Sequence, residues 1–197
     1  LMDESPSGCW TNHPSVVEYR GEWLLFYHDD DLSPTFDKAR SIRADRLVFN
    51  NDGTIRKVVP TLRGVGIVDA KSEIQIDRYS ATSGPEVAAT FLDPANPRAG
   101  WKVSLPGKPS GVRFDRVDFG PGALKSVEAR TTSAQAGAIE IRLDREDGPL
   151  LARVKIGRGA GWKISRASLR KLPRGVHDLV ITQAGKNPVE LDWLRFE

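Results

Sequence analysis

The sequence predicts an all-β protein in two parts, a short antiparallel meander followed by a larger antiparallel β-sandwich. Eighteen glycines and thirteen prolines among 197 residues leave few uninterrupted stretches of the about 11–12 residues that a mean α-helix occupies. Apolar residues recur in short alternating runs, the period-two pattern of strands with one buried face. Turn signals separate the later runs at roughly the spacing of about 8–15 residues that marks a sandwich.

From Ser15 to Pro60 the chain reads as four strands. Residues 15–20 meet residues 22–28 across Gly21, a tight-hairpin signal. Residues 40–49 alternate, with Ile42, Leu47 and Phe49 as apolar members. Asn50-Asn51-Asp52-Gly53 then turns the chain into 54–59, since Asn or Asp followed by Gly supplies positive φ. Trp23, Phe26 and Tyr27 are read as core. The stretch 60–72 has two glycines and mixed charge, and reads as a connector. Eight further strands are expected over 74–79, 111–114, 125–131, 138–143, 150–156, 163–169, 175–183 and 190–196. The stretch 84–110 holds Pro85, Pro94, Pro97, Pro106 and Pro109 and is expected to be a long loop system at one end of the sandwich.

Composition narrows the function. The net charge is +3, read as spread along the chain, so nucleic acid is not an expected partner. Short apolar runs exclude a transmembrane helix, and no membrane partner is expected. Cys9 is the one cysteine and permits no internal disulfide. The sequence opens on Leu rather than Met and is read as lacking its natural start. His13, His28 and His177 lie far apart, without metal-site spacing, and no nucleotide or nucleophile-elbow motif is present.

Some residues carry binding chemistry. Trp101 and Trp162 sit beside glycines, where a flat indole can stack on a pyranose ring or cover the end of a sandwich core. Asp29, Asp30 and Asp31 form a run that reads as solvated carboxylates, with cation binding as the alternative. Gln75 and Asp77 share one face of a strand and Asp192 lies on the last, an oxygen set that suits a hard cation such as Ca²⁺.

Two stretches resemble known families. Residues 12–60, with Gly-Glu-Trp-Leu-Leu-Phe-Tyr-His (21–28) and Asn-Asn-Asp-Gly-Thr-Ile (50–55), resemble the last blade of a glycoside hydrolase family 43 five-bladed β-propeller. Residues 74–197 resemble a carbohydrate-binding module of family 6, a jelly-roll-like sandwich. The stretches that carry this are Ile-Gln-Ile-Asp-Arg-Tyr-Ser-Ala-Thr-Ser-Gly (74–84), Val-Asp-Phe-Gly (117–120), Ile-Glu-Ile-Arg-Leu-Asp (139–144), Gly-Trp (161–162), Gly-Val-His-Asp-Leu (175–179) and Leu-Asp-Trp-Leu-Arg-Phe (191–196).

The resemblance implies a terminal blade over 1–62, a linker over 63–72 and the binding sandwich over 73–197. It places Trp162 at one aromatic plate of the sugar cleft and Glu190 where the family has a ligand-binding Asn. The opposite plate falls on Leu105, or on Trp101 if the loop is shifted. Gln75, Asp77 and Asp192 match structural Ca²⁺ ligands, and His13 matches a histidine of the propeller's central channel. No catalytic residue is implied within these residues, because the family's acids lie in earlier blades. The implied protein is a glycosidase of arabinosyl or xylosyl linkages in plant cell-wall polysaccharide, extracellular or periplasmic, whose N-terminal blades are missing and whose present part is inactive alone. Two other readings stand beside it: a lectin-like binder, and a structural sandwich that has lost its glycan cleft.

Overall fold

The computed structural model describes residues 1–3, 13–33, 36, 38–107 and 109–197; Cys9 lies outside them. They form two compact units, Leu1–Val65 and Gly66–Glu197.

The first unit is a three-stranded antiparallel sheet of β1 (Ser15–Tyr19), β2 (Glu22–Asp29) and β3 (Ser41–Leu47). The β1–β2 hairpin turns on Arg20 and Gly21, both at positive φ (53° and 76°), as a two-residue turn matched to strand twist requires. Leu25, Tyr27, Leu47 and Val58 form its core, whereas Trp23 and Phe26 are exposed. The expected fourth strand over 54–59 is reduced to two isolated bridges, Phe49–Ile55 and Met2–Val58. Its Val58 N–H donates to the Leu1 carbonyl (2.8 Å) rather than along a ladder, and Pro60 has no N–H to offer.

Of the three aspartates 29–31, Asp31 alone is exposed as expected. Asp29 and Asp30 are buried, and Asp29 accepts from Arg43 Nε (3.0 Å) and Nη2 (3.0 Å). The Tyr27 hydroxyl donates to Asp45 (2.6 Å). Burial, with Asp45 beside it, pushes that phenol above its ordinary pKa.

The second unit comprises β4 (Val68–Asp69), β5 (Ile74–Gln75), β6 (Ala81–Ser83), β7 (Ala88–Phe91), a 3₁₀ turn (Pro97–Ala99), β8 (Trp101–Leu105), β9 (Gly111–Asp118), β10 (Ser126–Ser133), β11 (Gly137–Leu143), β12 (Leu150–Ile156), β13 (Gly159–Ser168), β14 (Val176–Gln183) and β15 (Val189–Phe196). One sheet runs β13-β10-β15-β8-β7 with β5 on β15; the other runs β12-β11-β14-β9-β4 with β6 on β9. Apart from the parallel β4–β9 pair, the ladders are antiparallel. Inward residues such as Phe114, Val127, Ile139, Leu151, Leu179 and Phe196 fill the space between the sheets, as two one-faced sheets must.

Two expectations change here. Part of the connector belongs to the sandwich, since β4 pairs with β9 and Ala70 is fully buried. The stretch 84–110 is not all loop: it holds β7 and β8, and its prolines lie outside both strands. Gly84 is needed where it stands, at φ +83° with a Cβ falling 1.8 Å from the Pro109 carbonyl.

Charge is not evenly spread either. Residues 148–177 hold eight Lys and Arg and no Asp or Glu, and they include β12 and β13, one edge strand of each sheet. Across β13, β10 and β15 the outer face carries Glu128 between Arg166 (2.6 Å) and Arg195 (2.9 Å). The hydrogen bond from Arg195, aided by Arg166, holds the Glu128 carboxyl below its usual range. A depressed carboxyl stabilises the fold above its unfolded pKa of about 4.3, and that stability is lost as pH falls through the folded value. Glu128→Gln should therefore lower the Tm at neutral pH, and the gap to wild type should begin to narrow as the pH drops below about 4 and close as it falls through the depressed folded value. Melting curves across pH, read by circular dichroism, check this.

Candidate functional site

The last strand organises the site. On β15, Val189, Leu191, Leu194 and Phe196 are buried in the core. The registers with β10 shift between Thr131–Leu191 and Arg130–Trp193, so Asp192 is the extra residue of a bulge. Glu190, one position before the core residue Leu191, faces outward. It pairs with Thr132 on β10 and Ser104 on β8, which puts three polar side chains in one row across three strands.

That row opens into a cavity of about 330 Å³, lined by Ser104, Thr132, Ser133, Gln135, Gly159 and Glu190 among others. Lys102 donates to the Glu190 carboxylate at 2.7 Å, offsetting its charge. The Thr132 hydroxyl donates to the Gly159 carbonyl (3.1 Å) and the Ser133 hydroxyl to the Pro188 carbonyl (2.7 Å). Hydroxyls, an amide and a carboxylate in one concavity can both donate to and accept from a polyol.

Trp162, three residues beyond Gly159 on β13, is half-buried and is not among the residues lining the cavity. The Arg130 guanidinium lies 5.3 Å from its ring centroid and also donates to Asp192 through Nη1. One arginine thus joins Trp162 to the last strand. Trp101 begins β8 rather than sitting in a turn, and stacks on Phe91 with ring centroids 4.4 Å apart. Leu105 has no exposed surface and belongs to the core, so it offers no face to a ligand. The alternation of β8 explains this: Val103 and Leu105 point inward, and Ser104 reaches the cavity. Lys102, Ser104, Thr132, Ser133, Gln135 and Arg130 were not anticipated. The polar–apolar alternation of Trp-Lys-Val-Ser-Leu (101–105) was the signal for the first two.

Of the candidate cation ligands, Gln75 and Asp192 lie at the β5–β15 contact, whereas Asp77 lies two residues beyond the end of β5, so it does not share a strand face with Gln75 as expected. Gln75 pairs with Trp193, and the Ile76 N–H donates to the Asp192 carbonyl (2.9 Å). Asp77 and Asp192 are both buried, and Gln75 is exposed. Asp77 lies 3.5 Å from Arg78 Nε. Two buried carboxylates with an amide oxygen suit a hard cation in their chemistry. Among the described residues no three His, Cys, Asp or Glu side chains gather as a metal centre. In the first unit His13 is exposed and sits edge-on to His28, with centroids 5.1 Å apart. His28 Nε2 in turn lies 3.2 Å from Arg40 Nη1.

Residues 94–197 match the family described as carbohydrate binding module (family 6). The chain belongs to that family. As a family 6 module it is similar to a solved family 6 module from Clostridium cellulolyticum in complex with xylose, with 25% identity and a TM-score of 0.59 over 66% of this chain and 98% of that one. Over 94% of its length it is 26% identical to an arabinoxylan arabinofuranohydrolase of Paenibacillus polymyxa, of which it spans 31%. A glycoside hydrolase family 43 arabinoxylan arabinofuranohydrolase from Bacillus subtilis, in complex with cellotetraose, shares the fold. It covers the whole chain at a TM-score of 0.65 and 21% identity, and the chain covers 43% of it.

If Leu105 is core rather than a sugar plate, Leu105→Ala should destabilise the module by about 2–5 kcal/mol, the range for a buried Leu replaced by Ala. Urea unfolding checks it; a midpoint unchanged from wild type would place Leu105 on the surface.

Proposed function

We propose that this chain is the glycan-binding part of a secreted or periplasmic glycosidase acting on arabinosyl and xylosyl linkages of plant cell-wall polysaccharide. Its own role is to hold the polymer, and the remainder of the protein supplies the active site. The observation that carries this reading is the hydroxyl-lined cavity around Glu190 on a family 6 sandwich. The first unit adds support for a larger partner fold. Val17, Phe26 and Ile42 are exposed on its sheet, Ile42 at 83%, as a blade face awaiting its neighbours would be. His13 then takes the channel end of that blade.

Affinity follows from the contacts. One indole face gives roughly 1–2 kcal/mol of apolar contact, and small-ligand association must overcome lost freedom of motion. Arg130 already lies over Trp162, no aromatic plate stands opposite in the position of Leu105, and Glu190 is committed to Lys102. Binding of xylo- and arabino-oligosaccharides is therefore expected near millimolar, about −4 kcal/mol. Titration followed by Trp fluorescence should find this, and Trp162→Ala should remove it with an unchanged Tm. Micromolar affinity, or binding that survives Trp162→Ala, would overturn the reading.

Calcium belongs to the same proposal. Gln75, Asp77 and Asp192 would hold the ion, tying the first strand of the sandwich to the last; Asp192 would exchange Arg130 for it. An ion that binds only the folded state stabilises by RT ln(1 + [L]/Kd). Chelator should then lower the Tm, and Asp192→Ala should abolish that response; superimposable melting curves with and without chelator would count against the site.

A further inference from the structure

The edge formed by β12 and β13 has a charge pattern that the glycan cavity does not use. The two strands follow one another in the chain, pack together, and end one sheet each, so two consecutive strands, one from each sheet, make one side of the sandwich. That side and the loop after it carry Arg153, Lys155, Arg158, Lys163, Arg166, Arg170, Lys171 and Arg174 without an intervening acid. All eight are exposed. Arg153 pairs with Glu140, and Arg166 with Glu128 and Glu197. The other six have no ionic partner among the described residues.

Alternation distributes them along the edge. Val154 and Ile156 point into the core, leaving Arg153 and Lys155 outward on β12. The Arg170 N–H donates to the Leu151 carbonyl at 2.7 Å, which brings the segment after β13 back against β12. Arg170 and Lys171 therefore lie beside β12, and the cations form a band around this side of the sandwich, with Arg153 facing out from one sheet towards Glu140 and Arg166 from the other towards Glu128.

Edge strands use charge to prevent pairing with other chains. That need is met by either sign, or by both interspersed, and mixed signs lower self-repulsion. Six cations without an ionic partner among the described residues keep the repulsion, and edge protection alone does not account for their uniform sign. The same edge strand bears Trp162, and Gly159 and Ala160 from the glycan cavity. A polymer leaving that cavity along β13 meets the cationic band directly. The shared charge of plant cell-wall polysaccharides lies in uronate carboxylates, which match ammonium and guanidinium groups.

We infer that the β12–β13 edge binds an acidic, uronate-bearing polysaccharide, extending the cavity's neutral-sugar contact with an electrostatic one. This rests on the reading of the sandwich as a binder of plant cell-wall polysaccharide. A nucleic acid would also satisfy the charge, but single strands call for aromatic side chains interleaved with the cations, and Trp162 is the single aromatic residue between 148 and 176.

The test is affinity electrophoresis of the 197-residue chain in gels containing glucuronoxylan, the same polymer after carboxyl reduction, or neutral arabinoxylan. A DNA oligonucleotide serves as competitor. The chain should bind glucuronoxylan about tenfold more tightly than its reduced form at about 0.1 M salt, and the difference should vanish near 1 M, where the screening length falls to about 3 Å. The variant Lys155→Gln, Lys163→Gln, Arg170→Gln, Lys171→Gln should also lose it; should that variant fail to fold, the wild-type comparison of native and reduced polymer decides. Equal retardation by native and reduced polymer overturns the inference, as does a preference that persists in the folded variant. DNA competing as well as glucuronoxylan does so too. A chain that binds no neutral oligosaccharide but keeps the acidic preference sinks the cavity reading and leaves the edge standing.

Discussion

Three strands lean directly on β15, with β10 along one side and β8 and β5 along the other, so its alternation is imposed on every neighbour. Four of its eight residues are core, and each such apolar side chain is worth about 1.5–3 kcal/mol when fully buried. A slip of one residue would drive Glu190, Trp193 and Arg195 into the space between the sheets. The register is therefore fixed by burial, and everything on the outer face inherits it.

The bulge at Asp192 shows how much depends on that register. Without the extra residue, Asp192 would share a face with Glu190. With it, Glu190 stays in the outward row with Ser104 and Thr132, while Asp192 becomes a buried carboxylate that needs a counter-charge. Arg130 supplies one from the adjacent strand and reaches over Trp162 in doing so. A backbone irregularity of one residue thus links the polar cavity, Trp162 and the β5–β15 contact.

The later strands were legible because their signals are local: β12 runs from Leu150 to Ile156 as the alternation predicts, and the Arg20-Gly21 turn follows from the positive φ it requires. Strands β7 and β8 were hidden by proline density. Proline excludes a central strand only where it interrupts one, and these prolines flank two short strands. Leu105 and Trp101 were misplaced for a related reason. A motif alignment assigns positions along the chain, but which face a side chain takes depends on pairing with β15 and β7. Arg130 left no trace at all, since its partners Asp192 and Trp162 meet it only across strands. The one-signed segment 148–177 was in plain view, but an overall charge of +3 conceals it.

The two units solve the problem of stability differently. Twenty-five buried apolar residues form the sandwich core, against four in the first unit among the described residues. What the first unit has instead is polar: Arg43 on Asp29, and Tyr27 with Thr61 on Asp45. Buried pairs of this kind offset their own desolvation and add little net stability, but they penalise any register in which a partner is lost. They fix which residues of β2 and β3 face each other without supplying the energy to keep the strands together. A three-stranded sheet needs an apolar face covered for that, and here Val17, Phe26 and Ile42 remain in solvent. The specificity of the first unit is thus built in by its polar pairs, while its apolar burial is confined to the small cluster of Leu25, Tyr27, Leu47 and Val58.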